Sequence, residues 1–147
     1  MRHLLLSILW SVSVASGAID PVAAMLRRHP ELRLPTTADN PGCTTPAPSH
    51  FTIGLQARAD FRGSGKHDVA LLVVSKQPPK RYGVVVLELQ RDSAAEYWVV
   101  NPSTRSVRGV GVYPGLGGTW LVVSQCAPDQ VTPYQWTGRQ FEDAPIY

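Results

Sequence analysis

From residue 51 onward the chain alternates short apolar runs with clusters of turn-forming residues, a pattern that predicts successive β-strands folded back on one another. The strand segments fall at 51–59, 68–75, 82–90, 97–100, 107–112, 120–125 and 132–136. Two of them, Val69-Ala70-Leu71-Leu72-Val73-Val74 and Gly83-Val84-Val85-Val86-Leu87, show no alternation of polar and apolar positions. A strand that is apolar on both sides is covered on both sides, so these two belong at the centre of a sheet. Residues 20–34 carry the one helical pattern, with Asp20 as N-cap, Pro21 at the first helical position, and Val22, Met25 and Leu26 on one face. Pro30 ends it, and the helix is placed to supply one of the covers. The fold class expected is mainly β (α+β): an antiparallel meander of about six to seven strands with one N-terminal helix.

Between helix and strands, residues 35–49 hold Pro35, Pro41, Pro46 and Pro48, an extended connector expected to meet the domain only around Cys43. The glycine-rich stretch 109–118 lacks the Lys and Ser/Thr of a phosphate loop and reads as a mobile hairpin connection, with a lid or binding loop as its functional version.

The start of the chain reads differently. Arg2, an apolar core from Leu4 to Trp10 and the small residues Ser16-Gly17-Ala18 describe a secretory signal peptide over residues 1–18. Its core, Leu4 to Trp10, is seven residues long where roughly twenty are needed to cross a bilayer, so no membrane insertion is expected after its removal. The division that follows is leader 1–18, helix and connector 19–49, and a β-rich domain 50–147, in a periplasmic or secreted protein. Export places Cys43 and Cys126, the only cysteines, where disulfides persist, and the two are expected to pair. They lack the Cys-x-x-Cys spacing of a reactive pair.

Hydrophobic residues at 44% and charged residues at 17% fit a folded chain with one core. The formal net charge of +3 is small, and its basic residues are scattered. Without a basic stripe to follow a phosphate backbone, nucleic-acid binding is not expected.

Residues 60–68, Asp60-Phe61-Arg62-Gly63-Ser64-Gly65-Lys66-His67-Asp68, lead directly into the apolar run 69–74. A calcium loop spaces ligand oxygens at alternate positions, with a glycine at the bend. Asp60, Ser64 and Asp68 stand at the first, fifth and ninth positions and Gly65 at the sixth, which makes those three oxygen-bearing residues the candidate metal ligands. Arg62 brings a fixed positive charge to the third position, opposing a divalent ion and offering itself or Lys66 as the countercharge to Asp60 and Asp68. The stretch resembles the loop of FG-GAP or VCBS-type repeats, over about residues 56–75. The resemblance implies a calcium loop between two strands; with Arg62 present, no cofactor is expected. The closing Tyr134-Gln135-Trp136-Thr137-Gly138-Arg139-Gln140-Phe141 is similar to the Tyr-x-Trp-Asp-Gly-Lys-x-Phe ends of small exported bacterial proteins, a likeness that implies location and fold and no activity.

No catalytic constellation stands out. Gly-x-Ser-x-Gly is absent, and His29, His50 and His67 form no zinc-ligand spacing. Glu88, Asp92, Glu96 and Asp129 are carboxylates whose separations a sequence does not give. The aromatics Tyr113, Trp120 and Trp136 lie on or beside strands, and together they form a candidate contact surface for a protein or glycan. The functional expectation is a non-enzymatic interaction module, of the inhibitor or immunity type, whose partner is an envelope or secreted protein. A degenerate calcium-loop domain with weak metal binding is the alternative. A hydrolase with a dispersed site comes third, requiring a cleft lined by at least two of His67, Asp68, Glu88 and Glu96. Oligomeric state is not legible.

Overall fold

The computed structural model describes residues 20–41, 43, 51–89, 95–126 and 129–144; residues 1–18, expected to form a leader, and His50 and Asp92 lie outside them. Among the described residues are one helix, α1 (Pro21–Arg28), and nine strands. The strands are β1 (Leu32–Arg33), β2 (Gln56–Ala59), β3 (Asp68–Ser75), β4 (Tyr82–Glu88), β5 (Glu96–Ser103), β6 (Val107–Gly115), β7 (Gly118–Cys126), β8 (Asp129–Trp136) and β9 (Phe141–Asp143). All pairings are antiparallel, so the mainly β fold with one N-terminal helix is the one expected.

The strands divide between two sheets. The first runs β1-β3-β4-β5, with β2 beside β3 along the stretch that β1 leaves open; the second is the meander β6-β7-β8-β9. Alternation in β3 and β4 explains the layering. Ala70, Leu72, Val74, Val84 and Val86 point to the second sheet, where they join Val107, Val110, Leu121 and Val123 in one buried cluster. Val69, Leu71, Val73, Val85 and Leu87 point the other way and pack under Met25 and Leu32. The unbroken apolar runs are thus buried on both faces, one by α1 and one by the second sheet.

The helix forms where the caps allow it. Asp20 Oδ1 accepts hydrogen bonds from the Val22 and Ala23 amides at 3.0 and 3.4 Å, and Pro21 occupies the first turn, where its missing N–H costs nothing. Met25 is fully buried beneath it.

Three local expectations are corrected. Residues 51–59 are not one strand. Only Gln56–Ala59 pairs with β3, whereas Gly54 crosses to the other sheet and exchanges two backbone hydrogen bonds, of 2.9 and 2.8 Å, with Val110. The glycine-rich stretch is strand, interrupted only by the turn at Leu116 and Gly117. Two of its glycines allow close approach: a Cβ on Gly109 would lie 2.5 Å from the Gly54 carbonyl oxygen, and one on Gly111 2.6 Å from that of Thr52.

The third correction concerns the connector, which is anchored well before Cys43. Asp39, in a 3₁₀ turn over Thr37–Asp39, is buried; its carboxylate accepts from Arg33 at 2.6 and 2.8 Å and from the Thr36 amide at 2.8 Å, and lies 2.9 Å from Lys80 Nζ. Its carbonyl accepts from Tyr82 Oη at 3.0 Å. The Arg33 hydrogen bond, then the Thr36 amide and Lys80, hold the Asp39 carboxyl far below the usual carboxylate range. A depressed folded-state pKa contributes stability above the unfolded value, near 3.9, and loses it as pH falls further. Asp39→Asn is therefore expected to lower Tm by about 5–10 °C at neutral pH, from two or three charge-assisted hydrogen bonds. The gap to the parent should narrow between pH 5 and the acid limit, as thermal scans across that range will read. A gap independent of pH would mean that Asp39 acts through shape alone.

Candidate functional site

The loop at residues 60–67 joins β2 to β3, and both of its ends are fixed by pairing of Ala59 with Asp68. Within it Asp60 serves the backbone: its two carboxylate oxygens accept from the Ser64 and Gly65 amides at 2.9 and 2.8 Å. Gly63 and Gly65 take positive φ of 66° and 79°, the left-handed conformation that makes so tight a loop affordable to glycine and costly to other residues.

Asp68 turns inward and is fully buried. Arg62 meets it there, donating from Nη2 at 3.0 Å and from Nε at 3.3 Å to each oxygen. The same guanidinium lies 3.2 Å from Glu88 Oε1 at the end of β4 and donates to Tyr97 Oη of β5 at 3.1 Å. Its carbon sits 4.7 Å from the Tyr97 ring centroid and 5.9 Å from that of Trp136, within cation–π range of both. Burial alone would ease the proton off Arg62, but the hydrogen bonds and charges of Asp68 and Glu88 outweigh it and raise its pKa further. Arg62 is a permanent internal cation holding three strands and a loop together.

On its outer side this loop faces the β6–β7 hairpin across an open cleft of about 250 Å³. Asp60, Arg62 and Gly63 line one wall, Leu116 to Trp120 the other, and Gln135 and Trp136 of β8 the floor. Trp136 is fixed by edge-on contact with Tyr97 at 4.9 Å and a tilted one with Phe141 at 5.1 Å. Trp120 continues outward to Tyr113, 6.0 Å away, and Tyr113 to Phe51 at 5.5 Å, which makes an aromatic ledge along the hairpin. Leu116 projects from the hairpin tip, 89% exposed.

The candidate residues thus sort as follows. Asp60 and Ser64 share the loop, while Asp68 is committed to Arg62. Trp120 and Trp136 line one cleft, with Tyr113 next to it on the outside. Among the described residues, no three His, Cys, Asp or Glu side chains come together as metal ligands. His67 is exposed; Glu96 lies on the helix side, bonded to Arg28 at 2.6 Å and His29 at 2.7 Å; the side chain of Asp129 lies outside what is described. None of His67, Asp68, Glu88 or Glu96 lines the cleft. Glu88 and Tyr97 as partners of Arg62, and Gln135 as part of the floor, went unrecognised in the sequence. One signal was present: an acid directly after the apolar run 83–87 is a buried carboxylate in need of a cation.

Cys43 and Cys126 are bonded, with Cα atoms 5.2 Å apart, and the bridge fixes the connector to the end of β7. No helix among the described residues is long and apolar enough to cross a membrane. In class, then, the chain is a helix-covered antiparallel β-sandwich with an aromatic cleft at the rim of its second sheet. Comparison with protein-family models, with curated proteins and with solved structures finds no match to this chain.

Proposed function

We propose that the protein is a periplasmic or secreted, non-enzymatic binding module that holds its partner in the cleft between residues 60–63 and the β6–β7 hairpin. One observation carries the reading: the loop singled out by its motif and two aromatics singled out as contact residues converge on the same open cleft. Concave sites with aromatic walls and a few fixed polar groups are the usual ligand sites of small domains. The disulfide agrees with a compartment outside the cytoplasm.

In this reading calcium is not the ligand. The guanidinium of Arg62 lies against Asp68, and the oxygens of Asp60 are turned to backbone amides. A degenerate calcium loop that still binds metal predicts a Tm rise with calcium and a fall with chelator; we expect neither.

The binding reading is tested by capture from an envelope extract on immobilised wild type and on Trp120→Ala, side by side. A component retained by wild type and lost by the variant is the expected outcome. Equal recovery on both, or none on either, overturns the cleft as the binding site.

A further inference from the structure

The cleft lies where two paired strands part. We propose that it receives the free N-terminus of an extended peptide, whose first residues pair with β7 and β8 and whose ammonium group answers the negative charge of the lining. The proposal rests on the binding-module reading and names the chemistry of its partner.

The backbone carries the argument. Gly54 and Val110 exchange two hydrogen bonds, so Val110 points its polar groups away from β7, and by alternation Tyr113 points its own toward it. Trp120, opposite Tyr113, therefore directs its N–H and C=O to β6, and its neighbours Thr119 and Leu121 direct theirs to β8. On β8 the Pro133 carbonyl accepts from the Ala144 amide at 2.8 Å, which turns Pro133 and Gln135 toward β9, and Tyr134 and Trp136 toward β7. Leu121 and Tyr134 form the last pair of the β7–β8 ladder at this end. Thr119 with Trp136 would be the next bonded pair, and the strands do not pair there. Both residues line the cleft. Two donors and two acceptors thus face a fork without ladder partners.

A fork selects its occupant. A third strand laid between β7 and β8 cannot run past Leu121 and Tyr134, which are paired with each other. It must end there. One residue of such a strand bonds Thr119 and the next, pointing the opposite way, bonds Trp136, as residues of a central strand do. The ligand is therefore a chain terminus and not the middle of a segment.

Charge decides which terminus. Arg62 is the one base among the described residues that line the cleft, and Asp68 and Glu88 already hold it at 3.0 and 3.2 Å. With Asp60, three carboxylates stand against one guanidinium. Lys66 is exposed in the same loop and lies outside the lining. The net negative wall repels a peptide carboxylate and attracts an ammonium group. Each Asp60 oxygen accepts one backbone amide and retains a lone pair for such a donor. The same two bonds fix the carboxylate before a ligand arrives, which lowers the cost of ordering it. Trp120 and Trp136 supply apolar surface for the first side chain.

The experiment pans random heptapeptides, displayed with free N-termini, on the full, oxidised chain and titrates the enriched sequences as synthetic peptides by calorimetry. Binding at submillimolar concentration is expected. N-acetylation should weaken it by about tenfold, the scale of one hydrogen bond to a charged group. Asp60→Asn should weaken the free peptide and leave the acetylated one nearly unchanged. Thr119→Pro removes an N–H that faces the fork and spares the β6–β7 ladder, and it should weaken both forms by about fivefold. Should that variant fail to fold, N-methylation of the first backbone amides of the peptide makes the same comparison on the parent chain. No enriched peptide, acetylated peptides that bind as well as free ones, or binding indifferent both to Thr119→Pro and to N-methylation overturns the proposal. If, in that case, extract capture still depends on Trp120, the binding module stands with a ligand other than a chain end; loss of both removes the module too.

Discussion

Arg62→Ala should cost about 3–5 kcal/mol of folding stability, the scale of removing one partner from a buried charged cluster. Asp68 has no exposure and Glu88 is 9% exposed, so both would remain as carboxylates without the guanidinium that faces them. For a domain of this size the loss corresponds to a fall in Tm of about 10–20 °C. Arg62→Lys should recover only part of it: a point charge cannot span Asp68, Glu88 and Tyr97 as the planar fork does. The triple variant Arg62→Met, Asp68→Asn, Glu88→Gln separates charge from packing, because it removes the cation and the ionised acids together. It should be more stable than Arg62→Ala, as replacement of a whole buried cluster commonly is. Urea unfolding of the four proteins decides the matter, and a loss below about 1 kcal/mol for Arg62→Ala would place Arg62 among ordinary surface ion pairs.

Loss of the Cys43–Cys126 bridge should be of similar size. It closes a loop of 83 residues in sequence separation, for which the chain-entropy relation gives about 4.5 kcal/mol. Typical domains have only about 5–15 kcal/mol in total. The Cys43→Ser, Cys126→Ser double variant is thus expected to fold with a Tm lower by about 15 °C. Comparing the parent under reducing and non-reducing conditions gives an independent reading of the same quantity. Identical transitions in both would show that the bridge adds nothing beyond the Asp39 anchor, which already holds the connector to the first sheet through Arg33, Lys80 and Tyr82.

Much of the fold is written locally. Asp20 and Pro21 define the start of α1 through their own backbone chemistry, and β3 is bounded where its apolar run is bounded. The two-sided burial of β3 and β4 follows from their missing alternation. The division into two sheets does not, because alternation states which residues are buried and not which sheet buries them. The role of Gly109 and Gly111 is hidden for the same reason. Their sequence suggests freedom, whereas their purpose is set by a chain segment at 52–54 that crosses over them.

The site divides along the same line. The Asp60–Ser64–Gly65 contacts are short in sequence and follow from the loop motif. Arg62 was legible as the charge opposing an ion, and its second acid and its aromatic neighbours were not, since Glu88, Tyr97 and Trp136 come from three strands distant in the chain. The cleft is a product of how the β2–β3 loop and the β6–β7 hairpin reach the same rim, a relation that no spacing encodes.

The strand order also bears on behaviour at high concentration. A sheet edge is a template for another chain, and native proteins blunt it with short strands or proline. Here β1, β2 and β9 are two, four and three residues long. The longer edge strands each contain a proline, Pro102 in β5 and Pro114 in β6. Among the described residues the sandwich is thereby poorly suited to stacking on copies of itself, a form of resistance to aggregation that leaves the exposed side chains of Leu34, Leu55, Val112, Tyr113 and Leu116 as its adhesive features.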